Sequence, residues 1–255
     1  ANILSSKEAV SEKNHNLKVN LSVRPVEDQL VYLQWAEGFR LGNSQLPISE
    51  DLCDVNNDGL LDGTGVSIEG DYDSDFVETF EIGGKLSLLD GRLSVNAAVY
   101  ESTWDGLPVR VSSPGTTCLE TRIDTAGEAR IRGLELETAY QLTPSLRLDF
   151  SGSYTDSELT KDALSLGGNK GDRLPAAPEY NLSVAIEYEF RIANYDSYIR
   201  GDYSFVGGYY NNFKEEGLEA GDYGLINISS GLFLDNGINI GLYINNLTGE
   251  DDFTW

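Results

Sequence analysis

Hydrophobic residues recur at every second position over long stretches of this chain. In residues 178–190, PEYNLSVAIEYEF, one face carries Tyr180, Leu182, Val184, Ile186, Tyr188 and Phe190. The other carries Glu179, Asn181, Ser183, Ala185, Glu187 and Glu189. A period of two predicts a β-strand with one apolar and one polar face. Aromatics end the apolar face and aliphatics fill its middle. A lipid-facing strand needs that order, because Tyr and Phe suit the headgroup boundary and aliphatics the hydrocarbon.

Three more stretches repeat the design. Leu146, Leu148, Phe150 and Tyr154 oppose Arg147, Asp149, Ser151 and Ser153. Ile238, Ile240, Leu242 and Ile244 oppose Asn239, Gly241, Tyr243 and Asn245. Leu17, Val19, Leu21 and Val23 oppose Lys18, Asn20, Ser22 and Arg24. A soluble sandwich also alternates, so the polar face helps to decide. It carries bulky charged and amide groups at nearly every position, as expected beside a water-filled lumen.

About ten strands are predicted, near 16–24, 29–38, 76–88, 92–104, 126–142, 145–156, 178–190, 196–207, 222–234 and 237–247. Short, turn-rich connections alternate with long ones at roughly 39–75, 105–125, 157–177 and 208–221. Sorting by parity predicts an all-β fold, an antiparallel up-and-down transmembrane β-barrel with short periplasmic turns and long extracellular loops. Within 128–142, Leu134, Leu136, Tyr140 and Leu142 share a face, but Ala129 and Ile131 fall on the other. Either a bulge near Arg132–Gly133 restores the phase, or the membrane strand begins only at Gly133.

Composition narrows the function. The 255 residues carry a formal net charge of -24. Neutralising phosphates needs Lys and Arg, so nucleic acid is not an expected partner. No stretch reaches the roughly 18 to 20 apolar residues of a transmembrane helix, and alternating strands escape a hydropathy scan. Residues 1–15 are polar, without the apolar core of a signal peptide, and read as an extracellular loop.

Cys53 and Cys118 lack the CxxC spacing of a zinc or redox site. They are either free thiols or, in an oxidising compartment, a disulfide between neighbouring loops, the pairing expected here. Next to Cys53, DVNNDGLLD fits a compact calcium loop within the long 39–75 connection. Asp54, Asn56 and Asp58 offer alternate oxygens, Gly59 permits the turn, Leu60 offers its carbonyl and Asp62 closes the site. Gly65 stands where an EF-hand has its bidentate Glu, so a modest affinity is expected unless Glu69 or Asp71 swings in. The alternative is a polar turn. The acidic run at 69–75 reads as a solvated loop.

Enzyme chemistry finds little support. His15 is the one histidine and lies in a polar segment; no GxSxG, HExxH or phosphate loop occurs. Acid pairs such as Glu135 and Glu137 line a strand's polar face, which explains them better than glycosidase chemistry.

The residues resemble TonB-dependent outer-membrane receptors. The resemblance is carried by VYLQWAEGFRLG (31–42), FEIGGKLSLLDGRLSVNAAVYESTWDGL (80–107), RIRGLELETAYQLTPSLRLDFSGSYTDSEL (130–159), GDRLPAAPEYNLSVAIEYEF (171–190) and GLYINNLTGED (241–251), in order over nearly the whole chain. It implies a barrel of about 22 strands enclosing a plug. It also implies a bacterial outer-membrane location amid lipid and lipopolysaccharide, with TonB-driven uptake of a scarce solute such as a ferric siderophore. The plug, the TonB box, the early strands and the final strand have no counterpart in these residues, so a C-terminal portion of the barrel is expected over 1–255. A self-contained ten-strand barrel is the alternative. In such receptors solute contacts come from plug loops and the upper wall. Trp35, Arg40, Trp104, Arg110, Tyr209 and Tyr210 are the candidates here, with aromatic-belt or loop packing as the favoured competing reading. With no Met and one His, soft ligands for haem or bare metals are scarce. The rival functions are a calcium-stabilised adhesion β-domain, which would stay soluble without detergent, and a passive porin.

Overall fold

The computed structural model of the chain describes residues 13–46, 48–68, 70–113, 118–125, 127–163, 167–213 and 218–251. Ten long strands form one antiparallel sheet: β1 (Lys18–Val23), β2 (Gln29–Arg40), β5 (Asp75–Leu88), β6 (Leu93–Asp105), β9 (Glu128–Thr143), β10 (Leu146–Leu159), β11 (Tyr180–Ile192), β12 (Tyr195–Val206), β15 (Tyr223–Phe233) and β16 (Asn239–Ile244). Each long strand pairs with the next in sequence, as an up-and-down order requires. β1 and β16 are the two edges, so the sheet is an open arc and not the self-contained barrel held open as the alternative. No helix among the described residues is long and apolar enough to cross a membrane.

The remaining elements belong to the long connections. These are β3 (Asn43–Ser44) with β4 (Asp71–Tyr72), β7 (Pro108–Ser112) with β8 (Thr121–Thr125), β13 (Tyr209–Tyr210) with β14 (Glu219–Ala220), and the short helix α1 (Glu50–Cys53). None of them shows in the period-two pattern. The helix runs directly into the acidic turn, with Asp54 as its C-cap.

Pairing fixes the two faces, because directly opposed residues in an antiparallel ladder point the same way. Leu182, Val184 and Ile186 oppose Gly152, Phe150 and Leu148 on one side and Phe205, Tyr203 and Gly201 on the other. Ser183 and Glu187 oppose Ser151 and Arg147, then Ser204 and Arg200. The apolar face is therefore continuous across strands. Ile186 is 50% exposed, whereas Ala185 on the crowded concave face is 4% exposed. On that concave face Arg200 meets Asp202 at 2.8 Å, Asp149 at 3.4 Å and Glu187 at 3.6 Å.

The chain exposes 16810 Å², against about 11,000 Å² for a soluble protein of its 28.0 kDa. Much of the excess is the outward apolar face, including Val19, Leu21, Val99 and Leu242. A surface of that kind calls for lipid rather than water.

β9 contains no bulge at Arg132–Gly133. Its register with β6 runs unbroken from Glu128 to Tyr140, and the irregularity with β10 lies at Leu146/Arg147. Ala129 and Ile131 point inward simply because β9 continues above the apolar band. Gly133 sits there under the Tyr100 ring, which a Cβ would approach to 2.3 Å. That ring covers the backbone that glycine leaves bare.

Candidate functional site

All long connections leave one end of the sheet, and three groups of side chains meet there. The first is a knot on Asp75. Arg40 closes β2 and Asp75 opens β5 directly opposite it. The Arg40 guanidinium donates from Nε at 3.0 Å and Nη2 at 2.8 Å to the Asp75 carboxylate. Trp104 Nε1 donates to the same carboxylate at 2.7 Å, and Arg40 lies 5.3 Å from the Trp104 ring centroid. The Asp75 carboxylate holds the Arg40 guanidinium above its usual range. Asp75 is 4% exposed, which corrects the reading of 69–75 as wholly solvated. The knot fixes where the 41–74 loop leaves the wall.

The second group is a small folded cap. Cys53 and Cys118 are bonded, with Cα atoms 5.0 Å apart, within the range a disulfide requires. Around the bond Leu61, Val66, Ile68 and Val111 form a core of their own, flanked by Ile48. Arg122, 2% exposed, donates to the carbonyls of Leu46 at 2.9 Å and of Ser67 and Gly70 at 3.3 Å. Burial pushes its guanidinium below the usual range, and the charge of Asp71 opposes that shift. Gln45 exchanges two 2.7 Å hydrogen bonds with the Ile123 backbone, joining the 41–74 loop to β8. Arg122 and Asp75 escaped the sequence reading because charged residues in loops are expected in water.

Within this cap the acidic turn points its oxygens at its own backbone. The Asp54 carboxylate accepts from the N–H groups of Asp58 at 2.9 Å and Gly59 at 2.8 Å. Asp62 accepts from Val55 N–H at 3.1 Å, and Asn56 Nδ2 donates to Asp58 at 2.9 Å. Among the described residues no group of three or more His, Cys, Asp or Glu is gathered closely enough to hold a metal ion. Asp71 is engaged with Ser44 Oγ at 2.7 Å instead of completing a ligand shell, and Glu69 lies outside the described residues. So do residues 1–12 of the expected N-terminal loop.

The third group is a pocket of about 500 Å³ between the 160–179 and 207–222 connections. Tyr209, Tyr210, Arg173, Asn169, Asn212 and Phe213 line it. Below it Leu107, Ala129, Leu159, Ala163 and Phe213 pack as a second rim core, with Trp104 and Leu174 against it. Nearby, Lys161 lies 2.7 Å from Glu128, and its charge, with the Thr160 hydroxyl, lowers the Glu128 carboxyl from its usual value.

The six candidate solute contacts thus separate. Tyr209 and Tyr210 share the pocket, and Arg40 and Trp104 share the Asp75 knot. Arg110 is exposed on β7 opposite Ile123, apart from both groups. Trp35 needs correction. It opposes Val19 and Phe80 on the outward face, and its Nε1 donates to Glu78 at 2.6 Å. Parity with Val31 and Leu33 puts it in the aromatic belt, off the solute wall.

The family model described as TonB dependent receptor-like, beta-barrel matches residues 5–247. The metal-pseudopaline receptor CntO of Pseudomonas aeruginosa is 31% identical over 182 residues, covering 69% of this chain and 24% of that protein. The probable TonB-dependent siderophore receptor PiuA of Acinetobacter baumannii is 23% identical over 197 residues, 72% of this chain and 24% of its own length. Among solved structures, the ferric yersiniabactin uptake receptor FyuA from Yersinia pestis superimposes with a TM-score of 0.71 at 20% identity, over 91% of this chain and 32% of that one. The chain spans about a quarter of the length of the curated relatives it matches.

Proposed function

Because the chain belongs to the TonB-dependent receptor β-barrel family, an outer-membrane family, we propose that it forms part of the wall and mouth of an active-transport receptor for a scarce metal chelate. TonB drives uptake in this reading, and the surrounding outer-membrane lipid and lipopolysaccharide cover the outward face. The carrying observation is the opposition of two faces under one rim. An aliphatic surface runs across β10, β11 and β12, a charged surface backs it, and a pocket with paired tyrosines opens above. A relative named for metal-pseudopaline and one named as a probable siderophore receptor support a metal chelate as the solute class. The role is carriage, not catalysis. An adhesion domain stable in water would not display the exposed outward aliphatics, and a passive porin would not need TonB.

Uptake of radiolabelled iron, zinc and nickel chelates by cells with and without TonB tests the reading. Energised uptake that vanishes without TonB is expected; uptake unaffected by TonB would contradict it. Tyr209→Ala with Tyr210→Ala should raise the half-saturating chelate concentration about tenfold, as removal of one or two buried aromatic contacts does. Maximal uptake and membrane level should hold. The dose dependence of uptake checks this, and an unchanged half-saturation would detach the pocket from the solute path.

We also propose calcium as a structural ion for the Asp54–Asp62 turn, supported by the spacing of Asp54, Asn56, Asp58 and Asp62 and by the Leu60 carbonyl between them. Each carboxylate has about four acceptor sites, so those already accepting N–H bonds keep capacity. A chelator should speed hydrogen exchange across residues 54–64 and leave β5 and β6 unchanged, and Asp58→Ala should do the same without chelator. Identical exchange under all three conditions means a polar turn held by its own hydrogen bonds.

A further inference from the structure

We propose that the rim pocket takes a positively charged arm of the solute, an alkylammonium group carried on the metal chelate. The assignment deepens the transport reading above and rests on it. Tyr209, Tyr210 and Phe213 line the cavity of about 500 Å³. Aromatic faces attract a cation, most strongly where water is displaced. Phe213 is buried, 7% exposed, and packs so closely on Gly168 that a Cβ there would lie 3.0 Å from its ring. The tyrosine hairpin is tied on both sides. Ala176 N–H donates to the Tyr210 carbonyl at 2.8 Å. Across the hairpin Asn211 N–H donates to the Leu218 carbonyl at 3.1 Å, and the Asn211 side chain accepts from Leu218 N–H at 3.0 Å. The cavity is therefore held open by its own walls.

Charge sets the sign. Glu219 pairs with Tyr210 and so points to the same side of the hairpin. Its Oε1 would lie 3.3 Å from a Cβ on Gly208, with Asp222 beside it. Asp172 lines the cavity too. Its carboxylate accepts from Asn169 N–H at 2.8 Å and keeps further acceptor capacity. Arg173 is the one Lys or Arg among the described lining residues, and Glu179 lies 3.7 Å from its Nη1 and offsets it. The neighbouring connections have the same sign. Residues 207–222 carry four Asp or Glu and one Lys, and residues 41–74 carry eight Asp or Glu and no Lys or Arg. The carboxylates alone would be a solvated face. The aromatic cavity between them lets a cation shed water against ring faces while it stays close to negative charge. A field of this sign also draws cationic solutes to the mouth and repels anionic ones.

Matched ferric tris-hydroxamate chelates with one common core test the assignment. One ends in a free ammonium, one is its N-acetyl form, and one is its N-succinyl form, which ends in a carboxylate. Binding to the full-length receptor, extracted in mild detergent, is followed by quenching of its aromatic fluorescence. The ammonium form should bind about tenfold tighter than the acetyl form, and the succinyl form should bind most weakly. Glu219→Gln with Asp222→Asn should shrink the ammonium preference to about threefold or less, while affinity for the acetyl form holds. Arg173→Gln should tighten the ammonium form about two- to threefold, the scale of an exposed ion pair. A pocket built for anions would lose affinity on that change. Equal binding of all forms, binding of none, or tightest binding of the succinyl form would overturn the cationic arm. Energised uptake in cells, measured separately, decides the transport reading. If TonB-dependent uptake persists while the charge order fails, only the arm assignment falls.

Discussion

Breaking the Cys53–Cys118 bond, by reduction or by Cys53→Ser with Cys118→Ser, should unfold the cap and leave the ten-stranded sheet in place. While the sheet stays folded, the bond closes a loop made of two arms, one from Cys53 to Asp75 and one from Asp105 to Cys118. A loop of about 35 residues corresponds to roughly 3–4 kcal/mol of closure entropy. The cap core of four aliphatic side chains around the bond is too small to replace that contribution. Arg122 then loses its three fixed carbonyls, because Leu46, Ser67 and Gly70 all belong to the 41–74 loop, which the bond no longer ties to the segment carrying Arg122. Limited proteolysis should cut between residues 45 and 70 and between 112 and 121 only after reduction. Cutting within β5, β6 or β9 at the same rate would mean that the cap and the wall are one cooperative unit.

The second large effect concerns orientation. Val184→Arg should cost about 2–4 kcal/mol in refolding from urea into lipid vesicles. Val184 lies between Phe150 and Tyr203 on the outward face, so the new charge would meet hydrocarbon. Ser183→Arg, one residue away, should cost well under half as much, because Ser183 opposes Ser151 and Ser204 on the concave face. Equal costs would mean that neither face is in lipid.

The ten long strands were legible because lipid on one side and water on the other impose strict alternation, which sequence displays directly. Most ends fall within two residues of expectation; β10 runs three further, to Leu159, because its top pairs with β9 above the apolar band, and β16 stops three short of expectation, at Ile244. The cap was not legible. Leu61, Val66, Ile68 and Val111 come from irregular segments and carry no period, and only the paired cysteines announce that these segments meet. Two-residue pairings such as Asn43–Ser44 with Asp71–Tyr72 depend on tertiary contact and leave no local signal. Arg122 misleads in the opposite sense, since its partners are backbone carbonyls of a distant loop, which residue identity cannot reveal. Of the candidate rim residues, the two tyrosines, chosen by their place in a long connection, line one pocket. Trp35 was misplaced although its parity with Val31 and Leu33 held the answer.

Accessibility scanning along β11 tests the central claim most directly, that this arc separates lipid from a wet interior. Nitroxide labels are placed singly from Tyr180 to Phe190 in the protein reconstituted in bilayers, and collision with oxygen and with a polar nickel chelate is measured. Oxygen contact should peak at Leu182, Val184 and Ile186, and nickel contact at Ser183 and Glu187, with a period of two. Equal contact at both sets, or nickel reaching Val184 as readily as Ser183, would contradict the account.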